Sequence, residues 1–128
     1  MSLKKYKNIF WDFDGVIKDS VDVKSEAFLN LFKEIDVNLK KKIEDHHLNN
    51  SGISRYKKIP LYLEWAEIDK SQLTNYLNLF EKDVITRVIE SNWVMGAREY
   101  LCSNPYQQNF FLVTATPQKE IEYILKKL

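Results

Sequence analysis

Two carboxylates stand two residues apart, at Asp12 and Asp14, and Gly15 follows them directly. In a chain with three glycines, that placement marks a turn. Residues 8–13, Asn-Ile-Phe-Trp-Asp-Phe, are almost continuously apolar until Asp12, which predicts a strand buried on both faces, as in parallel sheets. Open parallel sheets bind ligands at the C-terminal rim of their strands, so both acids are expected to face one pocket there. Such a pair suits a hard cation, which takes oxygen ligands. The cation would keep Asp12 ionised and neutralise an incoming phosphate. Without it the carboxylates would repel each other and any anionic substrate.

The elements that must position these acids follow from periodicity. From Asp19 to about Ile35, Val23, Ala27, Phe28, Leu31, Phe32 and Ile35 form one apolar stripe, with Asp19 or Ser20 as the N-cap. A charged segment, KKKIEDHHLNN, follows and is broken at Ser51-Gly52. Residues 54–68 read as helical, with Pro60 kinking that helix or starting another. The most regular stretch is 70–91, an unbroken helix of roughly 33 Å at 1.5 Å per residue. Gly96 opens a short helix that Asn104-Pro105 ends. Phe110-Phe111-Leu112-Val113 predicts a second buried strand. Pro117 then starts a helix capped by Thr116, carrying Ile121, Ile124, Leu125 and Leu128 on one face. The fold class is α/β: an incomplete Rossmann-like core with a parallel sheet, formed by residues 1–18 and 93–128, and an inserted all-helical cap over 19–92.

The stretch Ile9-Phe10-Trp11-Asp12-Phe13-Asp14-Gly15-Val16-Ile17-Lys18-Asp19-Ser20 resembles the first motif of haloacid dehalogenase-like hydrolases, in the branch with phosphoglycolate phosphatases and β-phosphoglucomutases. The resemblance implies that Asp12 is the nucleophile that forms an aspartyl-phosphate and that Asp14 is the general acid and base. It also implies Mg²⁺ held by the Asp12 carboxylate and the Asp14 backbone carbonyl. Phe111-Leu112-Val113-Thr114-Ala115-Thr116-Pro117 matches the second motif, so the Thr114 hydroxyl and the Ala115 N–H are expected to grip phosphoryl oxygens near a helix N-terminus. The segment around Gly52 and Ser54-Arg55 resembles the substrate-specificity loop of the cap. Arg55 would bind a phosphate or carboxylate through two parallel hydrogen bonds, with Lys58 one turn along. A solvated basic helix start accounts for the same two residues.

His46 and His47 point to different sides of a helix and read as surface or supporting residues, not a metal pair. The family's third motif, a lysine, and its fourth, an acidic pair, find no match in these 128 residues. Lys119, Lys126 and Lys127 lie where the family lysine does not belong. The expectation is therefore a chain that stops before the site is complete, with weak or no activity of its own and open sheet edges that favour self-association.

Composition narrows the classes. With 45% hydrophobic residues, abundant aromatics and a formal net charge of +1, the chain reads as globular, without the field that a nucleic-acid or membrane partner would call for. The lone Cys102 forms no internal disulfide, which fits a reducing, cytoplasmic setting. The expected substrate is a small phosphorylated metabolite and the expected activity a phosphatase. Two alternatives stand beside it: a sugar-phosphate mutase, disfavoured by Lys24 where the mutase branch tends to carry histidine, and a non-catalytic, degenerate relative.

Overall fold

A computed structural model describes residues 2–128. The chain divides into two compact units: one runs up to Val21 and resumes over Ser91–Thr114; the other comprises Asp22–Glu90 and Ala115–Leu128.

The first unit is built on two parallel strands, β1 (Asn8–Trp11) and β2 (Asn109–Leu112), in the register Asn8 with Asn109 through Trp11 with Leu112. Backbone bonds from Asn109 N to Lys7 O and from Val113 N to Trp11 O extend the ladder at both ends. The short helix α5 (Ala97–Ser103) enters through Gly96 at φ 84° and leaves through Asn104 at φ 38°, both left-handed. Trp11, Phe110 and Tyr100 pack together, the first two edge-on at 5.5 Å between ring centroids. Gln108, buried, ties the unit together: its Nε2 donates to the carbonyls of Leu3 and Tyr6, and its Oε1 accepts from the Tyr100 hydroxyl at 2.5 Å.

The strands differ from the expected double burial. Phe10 is 69% exposed and stacks on Phe111 at 5.0 Å. Successive strand residues point to opposite faces. One face here rests on the Trp11–Tyr100 cluster, and the other, bearing Phe10 and Phe111, meets solvent.

The second unit is helical: α1 (Val21–Leu31, its first residue shared with the strand unit), α2 (Val37–Asn49), α3 (Arg55–Trp65), α4 (Leu73–Glu90) and α6 (Gln118–Lys127). Phe80, Val84 and Val88 recur at four-residue spacing and form the buried stripe of α4. Phe28 and Phe32, Ile43, Ile59 with Tyr62 and Leu63, and Ile121 with Ile124 complete the core. Asp36 and Ser54 cap α2 and α3 by accepting from the N–H two residues on. Pro60 is accommodated inside α3, one continuous helix.

The charged segment around Lys40–His47 lies in α2, where Ile43 and His47, one turn apart, give it a buried edge. Two local expectations are corrected. Thr116 does not cap α6; the N-cap position falls on Pro117, and the Thr116 hydroxyl accepts from Lys24 Nζ at 3.0 Å. The helix α6, assigned from sequence to the strand-bearing part over 93–128, groups with the helices, because Ile121 and Ile124 bury against them and α6 lies along α4. Among the described residues no helix is long and apolar enough to cross a membrane.

Candidate active site

β1 ends at Trp11, and the chain leaves it through a tight loop. Ile17 N and Lys18 N both donate to the Phe13 carbonyl, and Gly15 N donates to the Lys18 carbonyl at 2.7 Å. Gly15 sits at φ 79°, and a Cβ there would come within 3.1 Å of the Val21 side chain, so the turn requires glycine. Asp19 N to Asn92 O and Val94 N to Ile17 O fasten the loop to the segment before α5.

Within this loop Phe13 is buried and its two acidic neighbours are held differently. Asp12 is exposed, with its Oδ1 accepting from the Phe13 N–H at 2.7 Å. Asp14 is half-buried, and its Oδ1 accepts from the Ser20 hydroxyl at 2.5 Å. Ser20 is fully buried, so it anchors Asp14 to the base of the loop. The pocket that both acids are expected to share is open at Asp12, which is exposed. On the second strand, the ladder places Val113 just past the last pair, and Thr114, half-buried, is the next residue. Asp12, Asp14 and Thr114 therefore share the strand unit and lie beyond the C-terminal ends of adjacent parallel strands.

Lys18 is buried in the same loop, its ammonium 4.9 Å from the centre of the Trp93 ring, and burial pushes its pKa below the ordinary lysine value. Neither Lys18 nor Ser20 stands out in the sequence as functional. The available signal was their position: polar residues directly after the acidic turn, in a stretch otherwise apolar at Val16 and Ile17.

The other expected site residues belong to the helical unit. Ala115 is exposed. Arg55 and Lys58 are buried on one face of α3. Arg55 donates from both Nη atoms to the two carboxylate oxygens of Glu120, each at 2.6 Å, and its guanidinium lies 4.6 Å from the Phe80 ring centre. The solvated helix start is therefore not what α3 presents. Lys58 Nζ is 3.0 Å from His47 Nδ1, and burial, then the nearby Lys24 ammonium, push Lys58 down to about 8. His46 Nδ1 meets the Tyr62 hydroxyl at 2.9 Å, and burial raises Tyr62 to about 12. Glu120 escaped the sequence reading. Its signal was an acid immediately before Ile121 on the buried stripe of an amphipathic helix, a position that demands a cation.

For a magnesium ion, the Asp12 carboxylate and the Asp14 carbonyl offer oxygen donors of the right kind. Mg²⁺ commonly takes one or two carboxylates and completes its shell with water and substrate phosphate, so an exposed Asp12 fits that use. Among the described residues, no group of three or more His, Cys, Asp and Glu side chains could hold a metal ion.

The sequence matches no protein-family model and no curated protein. In backbone architecture the chain has an α/β fold shared with a solved structure. A solved relative in fold is a provisionally assigned beta-phosphoglucomutase from Thermotoga maritima, similar at a TM-score of 0.65 and 23% identity over 96% of this chain. The chain spans 56% of the length of that structure.

Proposed function

We propose that this chain serves Mg²⁺-dependent phosphoryl transfer, in the form of hydrolysis of a small phosphomonoester through an aspartyl-phosphate on Asp12. The observation that carries this reading is the placement of an exposed Asp12, a tethered Asp14 and Thr114 past the ends of two adjacent parallel strands. In the first step an Asp12 oxygen attacks phosphorus as the bond to the ester oxygen breaks, and Asp14 in its protonated form gives that oxygen its proton. In the second step Asp14, now a carboxylate, takes a proton from water as the water oxygen attacks phosphorus, releasing phosphate and regenerating Asp12. The Thr114 hydroxyl and the Ala115 N–H donate to the phosphoryl oxygens, which carry the charge of a loose transition state. Mg²⁺, when bound by Asp12 and the Asp14 carbonyl, supplies charge neutralisation.

Ser20 supports this division of labour by holding Asp14 while Asp12 faces incoming ligand. The decisive comparison measures phosphate release from a panel of phosphate esters by the parent chain and by Asp12→Asn. The expected result is a loss of roughly 10³-fold or more, the scale of removing a nucleophile; full activity in Asp12→Asn would overturn the assignment. A sugar-phosphate mutase is the second reading, favoured by the assignment of the Thermotoga maritima relative. Isomerisation of a hexose 1-phosphate without net phosphate release separates it from the phosphatase.

A further inference from the structure

In the helical unit a carboxylate of the protein's own already fills an arginine fork. Arg55 presents both Nη atoms to Glu120 at 2.6 Å, with side chains only 6% and 2% exposed. This planar two-point grip is the one by which arginine holds phosphate as readily as carboxylate. Two lysines stand nearby, one on α3 itself and one on α1. Lys58 lies one turn further along α3, and Lys24 of α1 is close enough to Lys58 to disfavour its charge. A phosphate monoester brings up to two negative charges where Glu120 brings one, and like cations crowded in a buried setting gain from the second. A buried ion pair also contributes little net stability compared with apolar side chains, because desolvation offsets its attraction. Ile121 and Ile124 stay buried on α6 whatever Glu120 does, and the first turn can leave Arg55 only where another anion replaces the carboxylate.

We propose that Glu120 is an internal ligand of Arg55, making α6 a latch over an oxyanion site: a phosphate group that takes the guanidinium releases the first turn of α6. The identity of the competing anion rests on the phosphoryl-transfer reading; the occupancy of Arg55 by Glu120 does not. Release frees the helix start that follows Thr114 and Ala115, so the latch couples anion capture by α3 to the segment expected to grip phosphate.

The test titrates inorganic phosphate into the full chain, with chloride at equal ionic strength as control, and follows amide exchange across residues 118–127. Phosphate, but not chloride, is expected to speed exchange at the start of α6 several-fold in the parent. Glu120→Gln is expected to bind phosphate at least tenfold more tightly. The double variant Arg55→Met with Glu120→Leu, which replaces the pair by apolar groups, should lose the exchange response. Unchanged α6 exchange in the parent, or a response retained by the double variant, overturns the latch; so does equal phosphate affinity in Glu120→Gln and the parent. If Glu120→Gln fails to fold, the parent and double-variant exchange data still decide. No readout needs turnover, so the two proposals fail separately. A latch response without Asp12-dependent hydrolysis defeats only the phosphatase reading, and hydrolysis without a latch response defeats only the latch.

Discussion

Ser20 reaches Asp14 from a fully buried position at 2.5 Å, so the carboxylate cannot swing away without losing a hydrogen bond to a charged group, about 1.5–3 kcal/mol in magnitude. Ser20→Ala should therefore lower kcat by roughly tenfold while leaving KM nearly unchanged, because proton transfer suffers more than binding; steady-state kinetics on a phosphate ester checks this. Lys58 makes a different prediction. Its folded pKa of about 8 lies below the ordinary 10.5, so between these values the unfolded chain binds more protons and stability rises with pH. The destabilisation is fully present below about pH 8 and is relieved as pH rises towards 10.5. Tyr62, raised to about 12 from 10.0, acts oppositely above pH 10, where the unfolded chain loses its proton first. Thermal melts from pH 7.5 to 10 should show Tm climbing in the parent and a shallower climb in Lys58→Met. At this scale the sequence reveals residues whose own chemistry is unusual in context, such as Asp12 and Asp14. It conceals residues whose roles are made by distant partners: Glu120 meets Arg55 across 65 positions, and nothing local announces that pairing.

Elements were legible where an apolar stripe was long and regular. The spacing of Phe80, Val84 and Val88 defines α4, and Ala27 with Phe28 defines the buried edge of α1. The bounds of α2 were harder to read because its lysine-rich sequence offers a single aliphatic core residue, Ile43, and its other buried position is a histidine. Ring packing explains why these helices cohere: Phe28 contacts Phe80 at 4.2 Å, His47 at 4.6 Å and Tyr62 at 5.8 Å. Phe80 also carries the Arg55 guanidinium on its face. Phe80→Ala should cost about 3–5 kcal/mol, the range for emptying a buried phenylalanine site. Urea denaturation should register this as a lower midpoint at unchanged slope.

For the molecule as a whole, the order strand, helices, strand, helix was readable from the sequence, and the parallel pairing of β1 with β2 agrees with it. The allegiance of α6 was not readable, since an amphipathic helix does not say which apolar surface it will cover. The pairing joins residues about 100 positions apart, whereas α3 and α4 are neighbours in the chain. Closing the longer loop costs more entropy and slows formation. Pulse-labelled amide exchange during refolding should therefore protect α3 and α4 before Phe10 and Phe111; simultaneous protection would refute this order.

The interleaving of the two units has a further meaning during synthesis. At 5–20 residues per second, β1 would leave the ribosome roughly 5–20 s before its partner strand exists. Throughout that interval Phe10 and Trp11 travel as an unpaired apolar segment on a nascent chain. The helical unit waits in turn for α6, which follows the last segment of the strand unit in the chain. A chaperone that holds short aromatic segments would find its substrate there.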